Sequence, residues 1–306
     1  MYLSTLAAAA VIVVWYAMYE RNATAAASGA AGSPPQQLAC DIVTRSVLKA
    51  LPEASSLAIS ARNPNVLWSL NDSGAPVVLA LSTDGRVIGR IHVTGARVTN
   101  WEDLSVAPCE TGSCLYIADG GNGGGTQRND VVIYRVREPS VSDKDTERAE
   151  EFTVAYPDGE DHEAEALFVV DGRLFLVTKG HPSWVFAFPR DIRQGLISTL
   201  ERIGQVPTEL FLSTSIPRRT RVTDAETSPD GRWVAMRTND ELLLYRSSDV
   251  VMHRLGGFWS SDLRSLAEPR GEGVAIANAG DVYLAGEGQS LDRPGTFAHL
   301  NCALPP

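Results

Sequence analysis

Four glutamates, each placed at the start of a short apolar run, are the residues of this 306-residue chain whose types and spacing suggest chemistry. They are Glu102, Glu165, Glu226 and Glu272. Carboxylates that converge on one point repel one another unless a cation or a Lys or Arg side chain compensates. Hard oxygen ligands favour Ca²⁺ or Mg²⁺ over softer transition metals. The pattern predicts either a divalent-cation site or a ring of ion pairs, although any one of these acids could simply cap a turn.

The elements that position these acids recur along the chain. Each glutamate precedes one strand-like run, a turn and then a second run, and an earlier copy at Ser55-Ser56-Leu57 has serine in place of glutamate. Repeats of about 40–60 residues that each hold about four strands are typical of a β-propeller. The sequence therefore predicts an all-β fold, a single β-propeller of four-stranded blades, preceded by an N-terminal hydrophobic helix.

Counting strand-like runs in groups of four gives five blades, and the long interval around the third blade leaves room for a sixth. The last blade lacks an outer strand, which the lone run Asp41–Val47 is expected to supply beside Thr296–Leu300. Such pairing closes the ring and removes free sheet edges. The outer strand of the fourth blade is expected near Met252–Phe258.

In an up-and-down blade, the connection into the first strand and the connection after the second strand lie on the same face. This topology brings further residues to the mouth of the central channel that the glutamates would surround. Asp119 is expected to join the four glutamates as a metal ligand, with calcium as the candidate ion. An anionic ligand group would be held by neighbouring polar and cationic side chains, for which the candidates are Asn71, Asp72, Arg128, Lys179 and Arg237.

The N-terminal region predicts export. Residues 3–19 contain no charged side chain, and no Lys or Arg precedes them. Seventeen residues is near the lower limit for a membrane-spanning helix and long for a signal-peptide core. Residues 1–21 are therefore predicted to be a transmembrane anchor or a signal peptide, residues 22–39 a flexible Ala/Gly/Ser/Pro linker, and residues 40–306 the propeller. Either reading places the propeller outside the cytoplasm, at the cell membrane or secreted.

Four cysteines agree with export, because disulfides persist in oxidising compartments. Cys109 and Cys114 flank a four-residue turn, whereas Cys40 and Cys302 lie near the two ends of the predicted propeller. A ring-shaped fold brings those ends together, so these two pairs are expected. Four cysteines allow three connectivities, and the sequence alone leaves the others open.

The net charge of −10 limits the partners. Nucleic acid and anionic membrane surfaces attract basic proteins, so neither is an expected partner. Only the N-terminal segment is expected to meet the membrane. The remaining expectation is an unknown ligand or protein at the acidic mouth.

Several motifs together resemble a group of uncharacterised exported bacterial β-propellers, distantly similar to phytase-like and TolB-like propellers. The match covers about residues 55–240. The motifs are Asn71–Gly74, Trp101-Glu102-Asp103, Tyr116–Asp119, Arg128, Tyr134–Pro139, Tyr156–Gly159, Ala164–Leu167 and Val177–Lys179. The resemblance implies six blades. Asn100 before Trp101 stands where that group tends to have an aspartate.

Two functions of different classes fit these patterns. The first is an exported, membrane-tethered propeller that binds a ligand or protein through its acidic channel mouth, with or without a divalent cation. The second is a calcium-dependent phytase-like or lactonase-like hydrolase, in which the metal activates water. No Gly-x-Ser-x-Gly motif is present, which removes one common sign of a serine hydrolase. The sequence leaves open whether the protein is an enzyme.

Overall fold

Five four-stranded antiparallel sheets form the blades of one propeller in the residues that the structure describes. The structure is a computed structural model that describes residues 35–48, 51–121, 128–207, 221–290 and 293–306. The predicted anchor or signal peptide and most of the predicted linker lie outside these ranges. Among the described residues, no helix is both long and apolar enough to cross a membrane.

The first three blades follow the chain from the inside outwards. Blade 1 contains β3 (Ala58–Ile59), β4 (Val66–Leu70), β5 (Val77–Ser82) and β6 (Val87–His92). Blade 2 contains β7 (Trp101–Pro108), β8 (Ser113–Asp119), β9 (Asp130–Arg137) and β10 (Glu150–Ala155). Blade 3 contains β11 (Ala164–Val170), β12 (Arg173–Thr178), β13 (Ser183–Ala187) and β15 (Glu201–Val206). Strand β14 (Ile197–Thr199) adds a parallel edge to blade 2.

The last two blades also use residues from the N-terminal end of the fold. Blade 4 contains β16 (Val222–Thr227), β17 (Trp233–Thr238), β18 (Glu241–Arg246) and β19 (Trp259–Asp262), with β1 (Gln36–Gln37) parallel to β19. Blade 5 contains β20 (Arg270–Ile276), β21 (Asp281–Glu287), β22 (Gly295–Cys302) and β2 (Cys40–Leu48). The short helix α1 (Ser247–Val251) and a 3₁₀ turn (Arg264–Leu266) flank β19.

The predicted closure of the ring is confirmed. Strand β2 pairs antiparallel with β22, with Cys40 opposite Cys302 and Val47 opposite Thr296. The predicted disulfides Cys40–Cys302 and Cys109–Cys114 are both present. Buried apolar side chains form five clusters in the described residues, each between two adjacent blades. The cluster that joins blade 5 to blade 1 includes Leu57 and Phe297, so the ring is continuous.

Two expectations about the blades are wrong. The described residues form five blades, whereas the resemblance implied six. In blade 4 the outer strand is Trp259–Asp262, because the turns that follow α1, at Met252-His253 and Leu255-Gly256, occupy the stretch where Met252–Phe258 was expected to pair. Asp249 in the first turn of α1 accepts hydrogen bonds from the Arg254 guanidinium, which stabilises this turn of chain.

Candidate functional site

The inner strands carry a repeated irregularity that aims side chains at the channel. The register of the first strand pair shifts at Glu102 in blade 2, Glu165 in blade 3 and Glu272 in blade 5. In blade 4 the same shift falls at Thr223. A β-bulge of this kind turns the extra residue away from the regular pleat. The bulged positions of the inner strands are therefore the structurally equivalent ones.

Three of the four predicted glutamates meet at one mouth, and the fourth does not. Glu102, Glu165 and Glu272 influence one another electrostatically across the mouth. Glu226 lies three residues beyond the bulge of its strand, beside the turn at Asp171-Gly172, which is the opposite end of the channel. Its place in the ring was wrong because the repeat in blade 4 aligns on Thr223-Asp224-Ala225 rather than on Glu226.

A cation fits the arrangement of carboxylates at this mouth. Carboxylate oxygens of Glu102, Glu163 and Glu165 lie within 4.8 Å of one another. Glu163 precedes β11 and was not singled out in the sequence analysis. The backbone N–H of Lys179 donates to the Glu163 carbonyl. Lys179 Nζ lies 2.6 Å from Glu165 Oε1 and 3.7 Å from Glu163 Oε1. One ammonium therefore faces three clustered carboxylates.

Burial favours the protonated form of the carboxyls at this mouth. Burial raises the pKa of Glu102 to about 8, against the opposing effect of Lys179. Burial also raises the pKa of Glu272 to about 7, and burial followed by the charge of Glu102 raises the pKa of Glu165. Burial alone would lower the pKa of Lys179, but the charges of Glu165 and Glu102 raise it. These directions show that Lys179 compensates only part of the negative charge.

The wall of the mouth on blades 1 and 5 is also charged. Arg270 Nη1 lies 2.5 Å from Glu287 Oε2, and Arg270 Nε lies 3.5 Å from Glu272 Oε1. Burial, followed by the charges of Glu53 and Glu287, raises the pKa of Asp72 to about 6. Asp72 thus belongs to the mouth as predicted. Asn71, its neighbour, instead accepts a hydrogen bond from the backbone N–H of Glu53 and anchors the chain there.

The structure gives Asp119 and Arg128 a supporting position behind the mouth. The buried Asp119 carboxylate accepts hydrogen bonds from the backbone N–H groups of Thr99 and Asn100, and Arg128 Nη1 lies 2.7 Å from it. These contacts use both carboxylate oxygens. Asn100 in turn donates its side-chain N–H to Glu102 Oε1, so Asp119 orients the segment that orients Glu102.

The backbone of Gly121 lies directly against the Glu102 side chain. Its backbone N–H donates to the Asn100 carbonyl, and a Cβ at this position would overlap the carboxylate of Glu102. Only glycine leaves the Glu102 carboxylate in place.

Arg237 is not available to a ligand. Its side chain is fully buried between blades 4 and 5. The guanidinium donates to the carbonyls of Gly273 and Ala285, and it forms a 2.6 Å ion pair with Glu268. A guanidinium with these internal acceptors fastens two blades together, and its predicted role in ligand binding is wrong for that reason.

Below the mouth, a pair of aspartates missed by the sequence interpretation spans the channel. Asp103 accepts hydrogen bonds from the backbone N–H groups of Leu104 and Leu167, whereas Asp224 accepts from Leu57 and Val274. Asp224 Oδ1 is buried without another partner among the described residues. The two carboxyls interact directly, so a shared proton would satisfy this oxygen. Burial raises both pKa values, that of Asp224 to about 7. We call these residues the axial pair, and they link the inner strands of all five blades.

A second acidic group lies on the loop before β11. Ligand atoms of Asp158, Glu160 and His162 lie within 4.8 Å of one another, and His162 Nε2 is 3.1 Å from Asp158 Oδ2. Asp158 and Glu160 are exposed to solvent. This loop offers a comparison site for any test of cation binding at the mouth.

Comparisons with known proteins give likeness of fold only. No family model matches the chain, and no curated protein matches it. Among solved structures, a PQQ-bound aldose sugar dehydrogenase from Streptomyces coelicolor is 12% identical with a TM-score of 0.49, covering 89% of this chain and 100% of that one. A gluconolactonase, XC5397 from Xanthomonas campestris, is 13% identical with a TM-score of 0.43, covering 89% and 98%. The β-propeller domain of Cps50 (Swd1) from Myceliophteria thermophila is 11% identical with a TM-score of 0.42, covering 86% and 99%. At these values the likenesses carry no argument about activity.

Proposed function

We propose that this protein is an exported binding protein whose channel mouth holds a divalent cation, with calcium as the first candidate, and presents that ion to an anionic ligand. The supporting observation is the approach of the Glu102, Glu163 and Glu165 carboxylates to within 4.8 Å of one another. Oxygen ligands of this kind suit Ca²⁺ and Mg²⁺. The ion would replace protons and part of the role of Lys179.

The charge and position of the other residues at the mouth indicate how each would contact a ligand. A bound cation would free the Lys179 ammonium from Glu165, and the ammonium could then reach an anionic group on the ligand. Arg270 lies near Glu272 at the same mouth. A phosphate or carboxylate held by the cation and these side chains is the ligand chemistry that the site favours.

Export is supported by the two disulfides. They form and persist in oxidising compartments. We extend the proposal to residues 1–21 as the segment that exports the propeller or tethers it to the membrane. Fractionation of cells that express the full chain tests this part. Recovery of the oxidised protein from the cytoplasmic fraction would contradict it.

Calcium is expected to raise the melting temperature of the purified protein, because a ligand of the native state alone stabilises it. The gain is about 2.7 kcal/mol when calcium is at a hundredfold excess over its Kd. Glu165→Gln is expected to remove most of this gain, since the substitution removes one charged ligand atom. Differential scanning calorimetry with calcium and magnesium titrations makes the measurement.

Glu160→Gln is the matched control, because Glu160 belongs to the other acidic group. It should leave the calcium effect unchanged. If neither cation moves the melting temperature, the Lys179 ion pairs are the compensation for the acidic mouth and the cation proposal fails. If Glu160→Gln and not Glu165→Gln removes the effect, the ion binds on the loop instead.

A hydrolysis assay separates binding from catalysis at the same site. A metal ion can activate water as well as hold an anion. Calcium-dependent turnover of p-nitrophenyl phosphate or of a gluconolactone, lost in Glu165→Gln, would replace the binding function with a hydrolytic one. Calcium binding without turnover supports the binding function.

A further inference from the structure

The end of the channel opposite the acidic mouth contains a separate cavity of about 300 Å³. We call it the Glu226 cavity. Its walls combine apolar side chains of three inner strands with the turns that follow those strands. The lining includes Ile59, Val106, Pro108, Val169, Asp171 and Asp230.

The cavity floor is a buried carboxyl without a cationic partner. Glu226 is 2% exposed, and Ser105 Oγ donates a 2.6 Å hydrogen bond to its Oε2. The backbone N–H groups of Val106 and Thr227 also stabilise the carboxylate. Burial outweighs these neutral donors and raises the pKa of Glu226. No Lys, Arg or His lines the cavity in the part of the chain that the structure describes.

A second polar atom at this site has no partner. Thr227 Oγ1 is buried and makes no hydrogen bond with the described residues. Thr227 lines the same cavity as Glu226. Buried polar atoms are normally paired, and an orphan of this kind indicates an absent partner. Each of these two neighbouring residues offers an oxygen that can accept a hydrogen bond.

We propose that the Glu226 cavity binds a small aliphatic ammonium ion. The ammonium has three N–H donors and a positive charge, which match the Glu226 carboxylate and the Thr227 hydroxyl. Its alkyl chain would lie against Val106, Pro108 and Val169. The exposed Asp171 at the rim adds a negative charge that attracts a cation, whereas Asp230 is paired with Arg232.

The size of the cavity favours a free small molecule as the occupant. A volume of about 300 Å³ is at the low end of the range for small-molecule sites. The rim is formed by tight turns such as Asp171-Gly172 and Pro229–Gly231 rather than by an open groove. An alkylammonium of about four carbons is therefore the class that we test.

Titration calorimetry with n-butylammonium chloride tests the proposal, with n-butanol as the neutral probe of the same shape. Butylammonium is expected to bind at least about tenfold more tightly than butanol, because only the ammonium pairs with the carboxylate. Glu226→Gln keeps the volume and an acceptor for Ser105. It should reduce butylammonium binding at least about tenfold and leave butanol unaffected.

Two further variants keep the result interpretable. Ala61→Trp fills the exposed rim without changing Glu226, and it is expected to abolish binding of both probes. Glu241→Gln changes a buried carboxyl of blade 4 that does not line the cavity, and it should leave binding unchanged. Equal binding of butanol and butylammonium, full butylammonium binding in Glu226→Gln, or no binding by the wild-type protein would each overturn the proposal.

Discussion

Asp224→Ala is expected to lower the free energy of unfolding by about 4 kcal/mol, since each buried donor left without its acceptor costs about 1–3 kcal/mol. The substitution strands the backbone N–H groups of Leu57 and Val274 and leaves Asp103 without its carboxyl partner. Urea unfolding followed by circular dichroism measures the loss.

Asp224→Asn is the matched control for this prediction. The amide oxygen of asparagine can accept from Leu57 and Val274, and its amide N–H can donate to the Asp103 carboxylate. The axial pair then needs no shared proton. A loss in Asp224→Asn as large as that in Asp224→Ala would show that the hydrogen bonds of the axial pair do not hold the inner strands.

The axial pair also predicts how stability depends on pH. The pKa of Asp224 is raised to about 7 in the folded protein, so the native state binds more protons than the unfolded chain above pH 4. The stability that this extra proton adds is fully present when the pH lies below the pKa of Asp224 in the unfolded chain. It is lost as the pH rises through about 7. Glu102, with a pKa of about 8, and Glu272, with about 7, act in the same direction.

The melting temperature is therefore expected to fall between pH 5 and pH 9, and to fall less steeply in Asp224→Asn. Calcium should recover part of the loss at pH 9 if it binds the mouth. A melting temperature that rises over this interval would contradict the raised pKa values.

Replacing Cys40 and Cys302 by serine is expected to destabilise the protein by about 5 kcal/mol, the largest single effect that we predict. The bond closes a loop with a sequence separation of 262, and the entropy that it removes from the unfolded chain grows with loop length. Unfolding in urea under matched conditions gives the change in free energy.

Replacing Cys109 and Cys114 by serine provides the comparison. That disulfide spans a separation of only 5 residues, so the same relation gives about 2 kcal/mol. The order of the two effects is the test. An equal or larger loss in the Cys109/Cys114 variant would mean that closing the ring adds little to the stability of the native state.

The fold was predictable because short local sequence patterns specify its strands and turns. Short apolar runs bounded by turn residues define strands such as β4 (Val66–Leu70), which lies between Asn65 and Asn71. Closure of the ring required only that the unpaired strand β2 pair with the open edge of blade 5. The outer strand of blade 4 was less accessible to this reasoning. The stretch before it contains apolar residues, but α1 and the turns at Met252-His253 and Leu255-Gly256 interrupt the extended chain.

The site was predictable only in part because charge alone does not reveal register. Glu226 resembles the other glutamates in sequence, yet a bulge three residues earlier sends it to the far end of the channel. A better signal is the pair of residues that follows each bulge, together with the equivalent pair in blade 1, because the backbone N–H of the second residue reaches the axial pair in four of the blades. Ser56-Leu57, Asp103-Leu104, Ala166-Leu167, Asp224-Ala225 and Gly273-Val274 share that small or acidic residue before an apolar one.

The pairing of β2 with β22 has a consequence for the order of events during synthesis. The outer strand of blade 5 is made early, but its partner β22 ends at Cys302. A ribosome must translate nearly the whole folded region before this blade can form, and the long loop that closes makes the step slow. Until then the backbone N–H and C=O groups of β2 lack their partner strand. Ile42, Val43 and Val47, which remain exposed in the folded protein, add apolar surface to that edge. The nascent chain is therefore expected to depend on a holding factor that covers this edge, and ring closure should occur only after release.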